Sequence, residues 1–382
     1  MLRMLSRLFV LFVPCLFAIP ASADTPEDVS WKLHTIDADN INSSGAMVDV
    51  NRDGKLDIIA GQFWYEAPNW KRHFVREVEV IRGRNDDYSS LPIDLNGDGW
   101  TDLVSVNYRS ASLYWVEHPG KSLKGPWQKH LIDSPGPSET GILADVDGDG
   151  QLDVLPNGTK FAAWYSFARE KTDEGVKVRW QRHELPEQLI GHGLGFGDLN
   201  GDGRGDIIGA KGWAEAPENA RTGRWVWHEL ALDRDASIPI LVHDFDGDGK
   251  NEIAWGRGHD FGISWLDRDK STWIRWPIDK SWSQAHAVRM ADIDGDGRMD
   301  LIAGKRYFGH DGKDPGAKMP MVIHWYRFDR KSGQFVPHLI HESEKVAFGL
   351  DPKVEDIDGD GDIDILCPDR AGLYLLENLR VD

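Results

Sequence analysis

Short apolar runs recur along the chain at 56–60, 103–106, 154–155, 207–209, 253–255, 301–303 and 363–366. Each is aliphatic or β-branched and follows a polar stretch bearing glycine, as a strand entered through a tight turn would. A second apolar segment follows each run, centred on Trp64, Trp115, Trp164, Trp213, Trp265, Trp325 and, most weakly, Tyr374. A third unit reads Trp-x-x-His at Trp70/His73, Trp127/His130, Trp180/His183 and Trp225/His228, with Trp273/Trp276 and Phe335/His338 as variants. With the strand that leads into each polar stretch, every repeat holds four short strands.

The polar stretch is itself a nine-residue pattern, Asp-x-Asp/Asn-x-Asp-Gly-x-x-Asp/Glu. It begins at Asp49, Asp94, Asp145, Asp198, Asp244, Asp292 and Asp356. Four-stranded units at this spacing predict an all-β fold, a seven-bladed β-propeller of antiparallel blades. The unit Trp31-Lys32-Leu33-His34 has no blade before it, and the last repeat stops one strand short. The N-terminal strand is therefore expected to complete the final blade and close the ring.

The segment before the first repeat has Arg3 and Arg7, an apolar run over 8–19, then Ala21-Ser22-Ala23. That order is the one of a signal peptide, which predicts a leader at 1–23, a single propeller domain over 24–382 and a secreted or periplasmic protein. No later stretch approaches the length of a membrane span. Cys15 would leave with the leader, and Cys367, within Ile365-Leu366-Cys367, reads as a buried small hydrophobe. A net charge of −19 argues against nucleic acid as a partner. A monomer is expected.

Oxygen-bearing side chains at positions 1, 3 and 5, with glycine at position 6, suit a hard cation such as Ca2+. The expected ligand sets are Asp49, Asn51, Asp53 and Asp57; Asp94, Asn96, Asp98 and Asp102; Asp145, Asp147, Asp149 and Asp153; Asp198, Asn200, Asp202 and Asp206; Asp244, Asp246, Asp248 and Glu252; Asp292, Asp294, Asp296 and Asp300; Asp356, Asp358, Asp360 and Asp364. No glutamate at position 12 and no flanking helix supports an EF-hand. These sets hold 25 of the 63 acidic residues, and seven divalent ions would move the net charge from −19 to about −5. Calcium loading and folding are expected to be coupled, with Ca2+ a structural cofactor.

The repeated acidic loop resembles that of the FG-GAP or VCBS-type repeat family, which shares it with integrin α-subunit propellers. Phe196-Gly197 and Phe348-Gly349 supply the Phe-Gly half of the family's name, but no Gly-Ala-Pro element is present. Arg52 stands where the first loop would have glycine, and Glu252 ends the fifth. The resemblance implies a calcium-stabilised propeller across the mature chain.

If the acidic loops join the first and second strand of each blade, the opposite face carries the start of each first strand and the end of each second. Six positions before each loop lie Ser43, Tyr88, Glu139, His192, Ile238, His286 and Leu350. Thirteen positions after each loop start lie Gln62, Asn107, Gly158, Lys211, Arg257, Lys305 and Asp369. Close neighbours add Asn85, Asp87, Arg109, Lys160, His259, Asp260, Arg306, Tyr307, Lys353 and Arg370. This polar, basic rim suits a carboxylate, a sulfate or a polyhydroxylated sugar. The insertion over 307–319 falls on the same face and reads as a flap.

The Trp-x-x-His histidines recur in most blades and read as structural. His192 and His286 do not recur, so they are either reactive groups or polar residues lining a wet channel. The rim resembles that of sugar-active propellers such as ulvan-type polysaccharide lyases and the propeller domain of aldos-2-ulose dehydratase, which implies a lyase or dehydratase. In such an enzyme His192 or His286 would be the base, Tyr88 a proton donor, and Lys211, Arg257 or Lys305 charge stabilisers. Alternatively, His192, His286 and Glu139 would ligate Zn2+. A non-catalytic propeller binding a glycan or a protein remains open as the second reading.

Overall fold

The computed structural model describes residues 29–173, 175–269 and 272–380. The leader read at 1–23, with Cys15, lies outside the described residues. Seven four-stranded antiparallel sheets follow one another around a ring. Their innermost strands are Ala46–Val48, Ser89–Ile93, Ser138–Ala144, Leu194–Gly197, Leu241–His243, Val288–Ala291 and Lys353–Glu355. The seventh blade takes its outer strand, Trp31–Asp37, from the other end of the chain. Trp31 pairs with Asn378, Leu33 with Leu376 and His34 with Leu375, so the ring closes as the sequence predicts.

The continuous apolar runs are second strands, and burial on both faces explains why they do not alternate with polar residues. Ile58 packs toward blade 7 with Leu366 and Leu375, whereas its neighbour Ile59 packs toward blade 2 with Leu103 and Trp127. The described residues form seven apolar clusters, one in each interface between adjacent blades. Cys367 is free and buried in the cluster between blades 6 and 7.

The Trp-x-x-His units are fourth strands, and their histidines lie on the third-strand tryptophans. The pairs are His73 on Trp64, His130 on Trp115, His183 on Trp164, His228 on Trp213 and His338 on Trp325. Three of these imidazoles also reach a glutamate at the end of the third strand: His73 to Glu66, His130 to Glu117 and His228 to Glu215. These are packing residues, as their recurrence implies. No helix among the described residues is long and apolar enough to cross a membrane.

Candidate functional site at the channel mouth

Each acidic loop joins a first strand to a second, so all seven lie on one face. Their geometry is set by carboxylates bonding the backbone. The carboxylate at position 9 accepts the amide of position 2 in every loop, as Asp57 does from Val50 at 3.0 Å and Asp300 from Ile293 at 3.0 Å. In the first loop Asp49 accepts from the amides of Asp53 and Gly54, and Asn51 also accepts from Asp53. Side-chain oxygens are thereby turned inward together. Oxygens of Asp145, Asp147 and Asp153, of Asp244, Asp246, Asp248 and Glu252, and of Asp292, Asp294 and Asp300 approach one another within 4.8 Å. Within two of these groups Asp153 Oδ1 and Asp292 Oδ1 are buried without a hydrogen-bond partner. The donor set is all oxygen, so the residues present fit a hard divalent cation.

The opposite face holds a cavity of about 250 Å³ at the channel mouth. Ser43, Tyr88, Glu139 and Leu350, all from the ring six positions before the loops, line it together with Asp369. Arginines 84, 109, 306 and 370 and tyrosines 88, 108 and 307 complete most of its wall. Arg109 donates to Tyr88 Oη at 3.2 Å and to the carbonyl of Ile81 at 3.2 Å. Burial, above all, raises the Tyr88 phenol above its ordinary value and keeps it protonated. Burial likewise lifts Asp369 to about 7, against the pull of the Tyr307 amide, Arg306 and Lys305.

The insertion over 307–319 does lie across this mouth, but it is fastened. Asp311 meets Arg84 from the connection between blades 1 and 2, and Arg370 lies 3.7 Å from the same carboxylate. Asp314 accepts from Arg306 at 3.0 Å and from His310 at 2.8 Å. A Cβ on Gly316 would fall 2.3 Å from Ser283 Oγ, so only glycine lets the segment lie this close.

His192 and His286 come together beside the cavity, their Nε2 atoms 3.0 Å apart. Nδ1 of His192 donates to the carbonyl of Ala236 at 2.7 Å, which leaves its Nε2 as the lone-pair nitrogen. His286 is wholly buried, and Glu139 Oε2 lies 3.8 Å from its Nε2. Burial holds both imidazoles neutral, their pKa values below the ordinary range. With His192 Nε2 accepting, His286 Nε2 donates in the contact between them, so the lone pair of His192 is turned to the other ring and that of His286 lies on its buried, unpartnered Nδ1.

The remaining sequence candidates are dispersed. Lys211 donates to the carbonyl of Ile190 at 3.3 Å. Arg257 is held among Asp233, Asp235 and Asp260, at 3.6, 3.3 and 3.0 Å. Lys305 is wholly buried, bonded to Gln284 Oε1 at 3.0 Å and to the carbonyl of Ala317 at 3.3 Å. The structure adds His259, a rim neighbour in the sequence, whose ring centre lies 5.0 Å from that of His192 and 5.8 Å from that of His286. It also adds Asp314, whose Oδ2 is 3.2 Å from His259 Nδ1. Asp314 sits in an insertion that only one blade carries, so no repeat position pointed to it.

The profile of the FG-GAP-like repeat matches residues 94–155 and 244–303, each stretch running from one acidic loop to the second strand of the next blade. No curated protein matches the chain. Among the solved structures that resemble it distantly are the following three. One is an Agrocybe aegerita lectin described as recognising non-reducing terminal N-acetylglucosamine, at 16% identity over 88% of this chain and 89% of that one, with a TM-score of 0.47. Another is an auxiliary nutrient binding protein of Bacteroides ovatus, at 8% identity, 92% and 77% coverage and a TM-score of 0.45. The third is a protein from Lactobacillus plantarum, at 12% identity, 93% and 96% coverage and a TM-score of 0.44. None of these likenesses bears on chemistry.

Proposed function

We propose that this chain, an FG-GAP repeat β-propeller, acts on an acidic carbohydrate at its channel mouth by β-elimination, with Ca2+ in the acidic loops holding the blades. The observation that carries this reading is the cavity wall, where four arginines stand against Glu139, Asp311 and Asp369 on a chain of net charge −19. Guanidinium groups pair with planar carboxylates, and tyrosines offer flat faces and hydroxyls to sugar rings. Glu139, Asp311, Asp314 and Asp369 balance the four arginines when all are ionised, and protonation of Asp369, whose pKa is raised to about 7, leaves one positive charge over for a ligand.

For elimination, the Glu139 carboxylate, which lines the cavity, takes the proton from the carbon next to the sugar carboxylate. The electron pair forms the C=C bond as the C–O bond on the neighbouring carbon breaks, and the Tyr88 hydroxyl gives its proton to the departing oxygen. The arginines stabilise the charge that builds on the sugar carboxylate. Glu139 and Tyr88 face the cavity, which favours them over the paired imidazoles for these roles.

The test is incubation with uronate-containing glycans, following the ultraviolet absorbance of the unsaturated product. Activity lost in Glu139→Gln and Tyr88→Phe, with ligand binding kept, supports the assignment. Glycan binding by the wild type without turnover would support the second reading, a binding propeller, and sink the lyase. No binding of any acidic glycan would sink both.

A further inference from the structure

We propose that His192, His259 and His286 form a binding site for one divalent transition-metal ion, of which Zn2+ is the best match, separate from the calcium loops. Three blades supply the ligands. His192 precedes the inner strand of blade 4, His259 follows the second strand of blade 5, and His286 precedes the inner strand of blade 6. One ring nitrogen from each lies within 4.8 Å of the other two. Three imidazoles match the protein-ligand type and number of zinc sites that do chemistry, and nitrogen donors disfavour calcium.

Several features mark the cluster as built rather than incidental. The bond from His192 Nδ1 to Ala236 fixes that ring's tautomer and points its Nε2 lone pair at the centre. His286 is wholly buried, yet its Nδ1 has no partner and its Nε2 meets only another imidazole and, at 3.8 Å, Glu139. A buried imidazole so poorly satisfied is costly unless a ligand completes it. Gly258 keeps the chain bare where the rings meet, since a Cβ there would lie 3.1 Å from His286 Cδ2 and 3.2 Å from His192 Cε1. Asp314 stands 3.2 Å from His259 Nδ1, the place of a carboxylate that orients a metal-bound histidine. Arg306, 2.7 Å from the same nitrogen, is neutralised by Asp314 at 3.0 Å. Arg306 can only donate, so without metal His259 Nδ1 accepts from it; binding through Nε2 requires Arg306 to turn wholly to Asp314 and Nδ1 to donate its proton to the same carboxylate.

The neighbouring Glu139 lines the cavity, so a metal here would sit at its edge and polarise a sugar carboxylate or hydroxyl. The ion would bind whether or not the cavity turns over a sugar. Chelator-treated protein, reloaded with excess Ca2+, is titrated with Co2+ and followed by visible absorbance. One Co2+ per chain with the intense band of a low-coordinate nitrogen site, displaced by Zn2+, is the expected result. His259→Ala, in a partly exposed connection, and His286→Ala should each weaken uptake beyond ~100-fold, and Asp314→Asn by about 10-fold, with the calcium-loaded melting temperature checking the fold. No such band in the wild type, or uptake unchanged in both histidine variants, would overturn the site while leaving the glycan test untouched.

Discussion

His183 lies flat on Trp164, ring centres 3.9 Å apart and planes 15° from parallel, and shares a hydrogen bond of 2.8 Å with Ser166. The same stack recurs at 4.3 Å in blades 1 and 2, 4.2 Å in blade 4 and 4.1 Å in blade 6. It ties the outermost strand of a blade to the third. Replacing the ring removes aromatic contact and one buried hydrogen bond, so His183→Ala should cost about 2 kcal/mol in urea unfolding. A loss below about 0.5 kcal/mol would mean the stack contributes little.

The acidic loops separate two roles by position. Asp300 is buried and accepts the Ile293 amide at 3.0 Å, whereas Asp296 is exposed and turns to Arg298 and its own loop. Asp300→Ala strands a buried donor and should cost about 1–3 kcal/mol even with calcium chelated. Asp296→Ala should cost stability only when calcium is present. For the wild type, calcium at 100 times its Kd should add about 2.7 kcal/mol per filled loop. Thermal melts in chelator and in calcium check both statements, and identical melts would refute the calcium reading.

The blade number, the ring closure and the stacked histidines were legible because each repeats, and repetition makes a weak local pattern visible. The mouth repeats nothing. His192 and His286 stood out as departures from the repeat, but His259 needed the third dimension, since its partners lie 67 positions before it and 27 after it. Charge was the least legible property. Lys305 and Arg257 hold equivalent positions in adjacent blades, yet one is buried under the insertion and the other is surrounded by three carboxylates. Sequence offset places a side chain on a rim without saying which neighbours neutralise it.

Lys305 gives a signed pH effect. Burial, then Arg306, lowers its pKa from 10.5 to about 8. Between those values the unfolded chain holds a proton that the folded chain has released, so stability should rise with pH through that window. The gain is at most about 3 kcal/mol. Lys305→Met should lack the rise, as read from urea midpoints across the window. An unchanged slope in the variant would show that another group titrates there.

Asp369 has the opposite sign and reaches the ligand. Its carboxyl is raised from 3.8 to about 7, so the folded chain holds a proton there that the unfolded chain lacks. The associated stability is complete below pH 3.8 and is lost as pH rises through 7, amounting to no more than about 4 kcal/mol. The same proton removes one negative charge from a cavity lined by four arginines. A uronate should therefore bind several-fold more tightly on the acid side of that transition than on the alkaline side, because like-charge repulsion is absent. Asp369→Asn should fix the tighter state and flatten both the binding and the stability profiles. Calorimetric titration of wild type and variant on either side of neutrality decides it, and parallel profiles for the two proteins would assign the titration to a different group.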